Sequence, residues 1–106
     1  MVNIEDFRKL ELKVARIKEV MDHPQADRLY IITVDLGDKT KQVVAGIKNS
    51  YQKDELIGKL AVVVDNLEPA ILRGVESQGM ILAASDETGV FIISPEKPVK
   101  LGSTVK

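Results

Sequence analysis

The stretch LYIITVDLGDKTKQVVAGIKNSYQKDELIGKLAVVVD, Leu29 to Asp65, decides the fold of this 106-residue chain. Its first eight residues, Leu29–Leu36, are rich in β-branched and aromatic side chains. They run into the turn residues Gly37-Asp38-Lys39-Thr40, so they read as a strand entering a short hairpin. Lys41–Gly46 is the returning strand. Lys53–Ile57 then reads as a short helix ended by Gly58, and Lys59–Asp65 as a further apolar strand.

Working outward toward the N-terminus, HPQAD (His23–Asp27) is a turn-rich loop. Pro24 fixes its backbone, and Asp22 and Asp27 are placed to bond nearby N–H groups. Before it, Leu10, Leu12 and Val14 alternate with polar residues as a half-buried strand does. The alternation slips at Ala15–Arg16, because Ile17 and Val20 take the other phase; a strand that changes phase without a turn carries a β-bulge. Asp6–Leu10 reads as one helical turn, with Phe7 and Leu10 three residues apart.

Outward toward the C-terminus, Gln78–Ser85 reads as a fifth strand, and Asp86–Gly89 turns into Val90–Ser94. The tail PEKPVKLGSTVK is extended, with room for a last short strand. Strands spaced by turn signals suit several small barrels and sandwiches. Three strands, a short helix and two more strands is the order of an OB-fold: an all-β, five-stranded barrel with a short helix between strands 3 and 4. The expectation is one domain over residues 1–106, with the barrel at about 10–94 and a C-terminal extension.

Composition narrows the function. A chain of this length suits one domain with one core. Aromatics are 4% of the residues, so Val, Ile and Leu carry the packing. There is no cysteine, which excludes a disulfide scaffold and thiol chemistry. The charged start MVNIEDFRKL is no signal peptide, and no apolar run approaches the ~20 residues that cross a bilayer, so a cytoplasmic protein with no membrane association is expected. The net charge of −1 argues against indiscriminate nucleic-acid binding. Cations nevertheless concentrate early: residues 1–60 hold eleven Lys/Arg against ten Asp/Glu, and residues 61–106 hold four against six.

Between the apolar runs Leu60–Val64 and Met80–Ala84 lies a long connection that starts at Asn66, NLEPAILRGVESQG. Connections of this length in compact domains are more often functional than idle. It carries Asn66, Arg73, Glu76, Ser77 and Gln78 among the backbone-shaping Pro69, Gly74 and Gly79. It reads as a recognition loop.

The ordered set IEDFRKLELKVARI, HPQADRLYIITVDLG, QVVAGIKNSY, DELIGKLAVVVDNLEP and LRGVESQGMILAA resembles the OB-type tRNA-binding domain family. The resemblance covers nearly the whole chain. Members occur as free-standing dimeric tRNA-binding proteins and as C-terminal domains or separate β subunits of methionyl-tRNA synthetase. Relatives occur in bacterial phenylalanyl-tRNA synthetase and in the cytokine-like multisynthetase component. The resemblance implies a non-catalytic module that binds tRNA by shape, free-standing or beside an aminoacyl-tRNA synthetase catalytic subunit. With one histidine, no cysteine and no clustered carboxylate pattern, no metal or cofactor is expected. RNA suits such recognition, because its deep major groove hides base edges.

Carried over residue by residue, the family's binding motif falls on Asn66, Arg73, Ser77, Gln78 and Met80. Arg73 would pair with phosphate, Asn66 and Ser77 would bond sugar or backbone oxygens, and Met80 would make a soft apolar contact. Lys13, Arg16, Lys18, Arg28 and Lys41, assigned to the first three strands, would track phosphates. His23 reads as a turn-packing residue, and Tyr51 as a barrel-packing one, although Tyr30 and Tyr51 could each stack on a base. In the free-standing relatives the two chain ends build a homodimer interface, which here would use Ile4, Phe7, Val99, Leu101 and Val105. Two positions depart from the pattern. The tip Glu68-Pro69-Ala70-Ile71 lacks the usual basic residues, and Ala15 stands where a glycine is common.

Two further functions fit the same fold family. One is a peptide-binding export chaperone, for which Ile71 and Leu72 would hold an unfolded chain; the other is a docking module in a synthetase complex. Catalysis has no support in the sequence, which lacks a nucleophile–base pattern and a phosphate-cradling glycine loop.

Overall fold

The computed structural model describes residues 1–106. Helix α1 spans Ile4–Phe7, two residues earlier than the sequence pattern suggests. The shift follows from Asn3, whose Oδ1 accepts the Asp6 N–H at 2.9 Å and fixes the first turn. Strand β1 is one long strand, Leu12–Asp22. β2 (Tyr30–Asp35) and β3 (Thr40–Ala45) form the hairpin. α2 is Lys53–Leu56, opened by a capping box between Gln52 and Glu55. β4 is Leu60–Val64.

The main sheet has the order β3-β2-β1-β4-β7, where β7 is Met80–Ile81. β1 is the pivot. Its first half pairs antiparallel with β4 and its second half with β2, and Arg16 has a partner on each side, Leu60 and Asp35. The register shift falls between Ile17 and Glu19, not at Ala15–Arg16. The misplacement has a physical reason. Leu12 is buried on a small second cluster with Val62 and Val64, whereas Ala15, Ile17 and Val20 face the main core. Burial on both faces of one strand mimics a phase slip in the sequence; the extra residue itself is Lys18, which is exposed.

What covers the second face is the C-terminal extension. β10 (Thr104–Val105) pairs with Leu12 and Lys13, and Val105 packs on the second cluster. Leu101 lies against Gly37 at the β2–β3 turn. The main core is aliphatic: Ile17, Ile32, Val34, Val43 and Val63, with Leu36 and Leu56, are the largest fully buried side chains. Leu56 is how α2 plugs the barrel.

The fifth strand departs from expectation. The run Gln78–Ser85 breaks after Ile81, and β8 (Ala83–Asp86) pairs with β9 (Gly89–Ile92) as a separate hairpin. The connection before it also contains a hairpin, β5 (Ala70–Leu72) with β6 (Val75–Ser77). Gly79 is required where this hairpin re-enters the sheet, because a Cβ there would lie 2.8 Å from the Val64 carbonyl oxygen.

Candidate nucleic-acid interface

The β5–β6 turn is built from Arg73 (φ 53°) and Gly74 (φ 88°). A left-handed arginine costs roughly 1–2 kcal/mol, so the surroundings must hold it. They do so through His23, which is 5% exposed. The Gln25 N–H donates to its Nδ1 at 3.0 Å, so that nitrogen carries no proton. Nε2 therefore donates to the Leu72 carbonyl at 2.9 Å. Arg73 Nη2 adds a bond to the Gln25 carbonyl at 3.2 Å. The HPQAD loop and the hairpin are clipped together by the imidazole, across 49 residues of sequence, and by the Arg73 guanidinium.

The clip creates a cleft of about 440 Å³ lined by Gln25, Ala26, Asp27, Arg28, Leu29 and Arg73. Neither guanidinium lies within ion-pair distance of a carboxylate. Arg28 belongs to the loop before β2 and not to one of the first three strands, where the family resemblance would place it. Asp22, expected to cap this loop, instead takes Lys48 at 3.1 Å and Lys53 at 2.8 Å. The bond from Lys53, then that from Lys48, holds its carboxyl below the usual carboxylate range.

Three residues of the recognition loop have internal work. Ser77 is 4% exposed. Its Oγ accepts the Val44 N–H and donates to the Gly79 carbonyl, both at 2.9 Å. Gln78 sits beside it: its N–H donates to the Gln42 carbonyl at 2.8 Å and its Oε1 accepts the Gln42 N–H at 2.9 Å. Together they rivet β3 to the β6–β7 segment and close the barrel. Asn66 is spent too, accepting the Glu11 N–H at 2.9 Å and donating to the Lys9 carbonyl at 2.7 Å. Both polar atoms of that amide tie the N-terminal segment to the end of β4. Met80, by contrast, is 45% exposed.

The strand cations divide. Lys41 is drawn in: its Nζ lies 2.7 Å from Asp65 Oδ1, with Lys39 on the other oxygen at 3.0 Å. Burial acts to raise the Asp65 carboxyl, but the bonds from Lys41 and Lys39 outweigh it and hold the group below the usual range. Asp65 in turn raises the Lys39 ammonium. Lys13 joins Lys39 and Lys100 in lining a second concavity, about 420 Å³, under the C-terminal extension. Lys39 and Lys100 escaped the sequence reading because a hairpin turn and a distant tail meet only in the folded chain. Arg16 donates to the Gly58 carbonyl at 2.9 Å, and Lys18 stands free on the bulge.

Of the aromatics, Tyr30 is 4% exposed and donates to the Tyr51 carbonyl at 2.7 Å, so it offers no stacking face. Tyr51 accepts the Ile92 N–H at 3.1 Å and meets Phe91 edge to face. The chain ends give a groove of about 400 Å³ that includes Ile4, Phe7, Leu10 and Val105. Ile4 and Phe7 are exposed at 58% and 38%, and Val99 at 42%. Leu101 and Val105, in contrast, are half-buried against their own barrel.

The profile of the family described as "Putative tRNA binding domain" matches residues 12–104. The chain is 54% identical over 105 residues to a methionine–tRNA ligase of Pyrococcus horikoshii, covering 99% of this chain but 14% of that protein. It is 51% identical over 106 residues to the ligase of Nanoarchaeum equitans, again covering 14% of the relative. This chain thus spans a small part of the curated relatives it matches. Among solved structures, a MetRS-related protein from P. horikoshii is 33% identical with a TM-score of 0.92, covering 100% of this chain and 98% of that one. The CsaA chaperone protein from Picrophilus torridus is 32% identical with a TM-score of 0.93, covering 100% of both chains.

Proposed function

The chain belongs to the tRNA-binding domain family, and from that membership we propose that it binds tRNA as a non-catalytic module, through a face centred on Arg28 and Arg73. The observation that carries the reading is the cleft. Arg28 and Arg73, neither in an ion pair, line it from a loop and a hairpin together with Asp27, and a buried histidine holds the two elements together. Free guanidiniums suit phosphate, which they bind bidentately. Lys18 adds an exposed cation on β1, and Lys13 and Lys100 add two more in the second concavity, where Lys39 is already paired with Asp65.

Affinity from so few free cations is modest, and a homodimer through the Ile4–Phe7–Val105 groove would raise it by presenting two faces to one RNA. The proposed setting is the cytoplasm, with the module supplying tRNA affinity to a methionine–tRNA ligase whose catalytic machinery lies elsewhere; no helix here is long and apolar enough to cross a membrane. The test is tRNA against linear RNA of equal length, in rising salt, with Arg73→Ala beside the parent. Tighter tRNA binding and a salt slope flatter by about one in the variant support the reading. Equal affinity for both RNAs, or no tRNA binding at low salt, removes it.

A second reading follows from the likeness to CsaA and from an apolar groove beside the cleft that includes Leu67, Leu72 and Met80. It is a chaperone that holds unfolded peptide. Failure of an equimolar amount of the protein to suppress aggregation of an unfolded client sets this reading aside.

A further inference from the structure

The groove beside the arginine cleft measures about 370 Å³. Val44, Ala45 and Ile81 contribute to its floor, and Leu67, Leu72 and Met80 to its rim. The rim residues are exposed at 42%, 38% and 45%. Ser77 is the one polar side chain lining it, and its hydroxyl is already committed to Val44 and Gly79. The groove therefore has apolar contact to give and no side-chain hydrogen bond.

The groove and the cleft adjoin. Leu72 lines the groove and its neighbour Arg73 lines the cleft. On the other wall, Gly46 lines the groove, and a Cβ there would meet the side chain of Leu29, a cleft residue, at 3.7 Å. The Leu29 side chain packs over Gly46 where the two concavities meet. A matching occupant has an apolar face joined to an anion.

We propose that the groove receives the base of one unpaired nucleotide whose phosphate lies on Arg28 and Arg73. This rests on the RNA-binding reading and sharpens it. A base stacked inside a duplex cannot enter a groove, so the site selects a single-stranded position of the RNA. With no free polar side chain in the lining, the groove holds the base by its faces and leaves the edge to water, so all four bases are accepted. No aromatic lines the groove, so the contact comes from Met80 and the leucines. It is weaker than aromatic stacking, about tenfold in affinity, the low end of what stacking contributes.

The chain has three methionines, and methyl-¹³C labelling makes Met80 a reporter with Met1 and Met21 as internal controls. A single-stranded pentanucleotide should shift the Met80 methyl upfield through the ring current of the base and leave the other two in place. The same pentamer made abasic at every position, with all phosphates kept, should bind more weakly and leave Met80 unshifted. A blunt duplex should also leave it unshifted. Met80→Asp and Leu67→Asp, both at exposed positions, should each weaken pentanucleotide binding about tenfold without lowering the melting temperature. The inference is overturned if the abasic strand shifts Met80 equally. It is also overturned if the base-bearing strand leaves Met80 unmoved at saturation or does not bind, or if only an apolar peptide moves it. A tRNA arm separates the two readings. Bound tRNA with Met80 unmoved removes the base site and keeps the tRNA reading. A shift with the pentamer but no binding of tRNA does the reverse.

Discussion

Replacing Ser77 by alanine separates a structural role from a ligand role at a position the family resemblance assigns to tRNA. The hydroxyl makes two bonds of 2.9 Å, from the Val44 N–H and to the Gly79 carbonyl, in a site 4% exposed. Alanine fits the space, so no clash arises. What remains is a buried N–H without an acceptor, and a lone unmet donor costs about 1–3 kcal/mol. Adding the lost bond to Gly79 brings the expected destabilisation to about 2–3 kcal/mol. For a domain of this size that is a fall of roughly 10–20 °C in melting temperature. Urea unfolding should show a lower midpoint with an unchanged slope, and amide exchange at Val44 and Gln78 should accelerate because the seam between β3 and β6–β7 opens first. Affinity for tRNA, measured well below the variant's melting temperature, should stay within about twofold of the parent, since the hydroxyl is spent on Val44 and Gly79 and offers a ligand no hydrogen bond. The reasoning fails if stability changes by less than about 0.5 kcal/mol while tRNA binding drops about tenfold.

Arg73→Gly should act in opposite directions on stability and binding. It releases a left-handed side chain and so stabilises by about 0.5–1 kcal/mol in thermal unfolding, while removing a phosphate contact and lowering the salt slope by about one; a less stable variant would refute the strain. Asp65→Asn tests the lysine pair. The folded carboxyl lies below its unfolded value near 3.9, so its stabilisation is fully present above about pH 4 and is lost as pH falls through the folded value. The variant's deficit in urea unfolding should therefore be largest at pH 7 and shrink in acid, and a deficit constant from neutral to strongly acid pH would contradict this. Phe7→Glu places a charge in the apolar groove of the chain ends and should give a monomer mass by light scattering where the parent gives a dimer; a parent already monomeric at micromolar concentration removes the dimer.

The barrel was legible because its signals are local. Alternation, the Gly37–Thr40 turn and the short helix at Lys53 each depend on a few consecutive residues, and the order of elements follows from them. The misreadings occur where a strand or segment has more than one neighbour. β1 buries residues on two faces because the C-terminal extension returns to cover Leu12, and no window around Leu12 contains Val105. The fifth strand divides because Met80–Ile81 pairs with β4 while Ala83–Asp86 pairs with β9.

The same distinction governs the site. A sequence reading offers Asn66, Ser77, Gln78 and Arg73 together as ligand contacts, since all are polar and share one loop. A connection this long, however, must satisfy its own backbone as it crosses the barrel, and it uses the nearest short polar side chains to do so. Asn66 meets Glu11 and Lys9, Ser77 meets Val44 and Gly79, and Gln78 meets Gln42. A guanidinium at the turn has a reach beyond the backbone it belongs to, and its one bond, to the Gln25 carbonyl, leaves its charge without a counter-ion. The long cations at the tips, Arg28 and Arg73, are thus left without a counter-ion. The short polar ones between them are what keep those tips in place, and His23, which sequence reasoning left as a packing residue, sets the relation of one tip to the other.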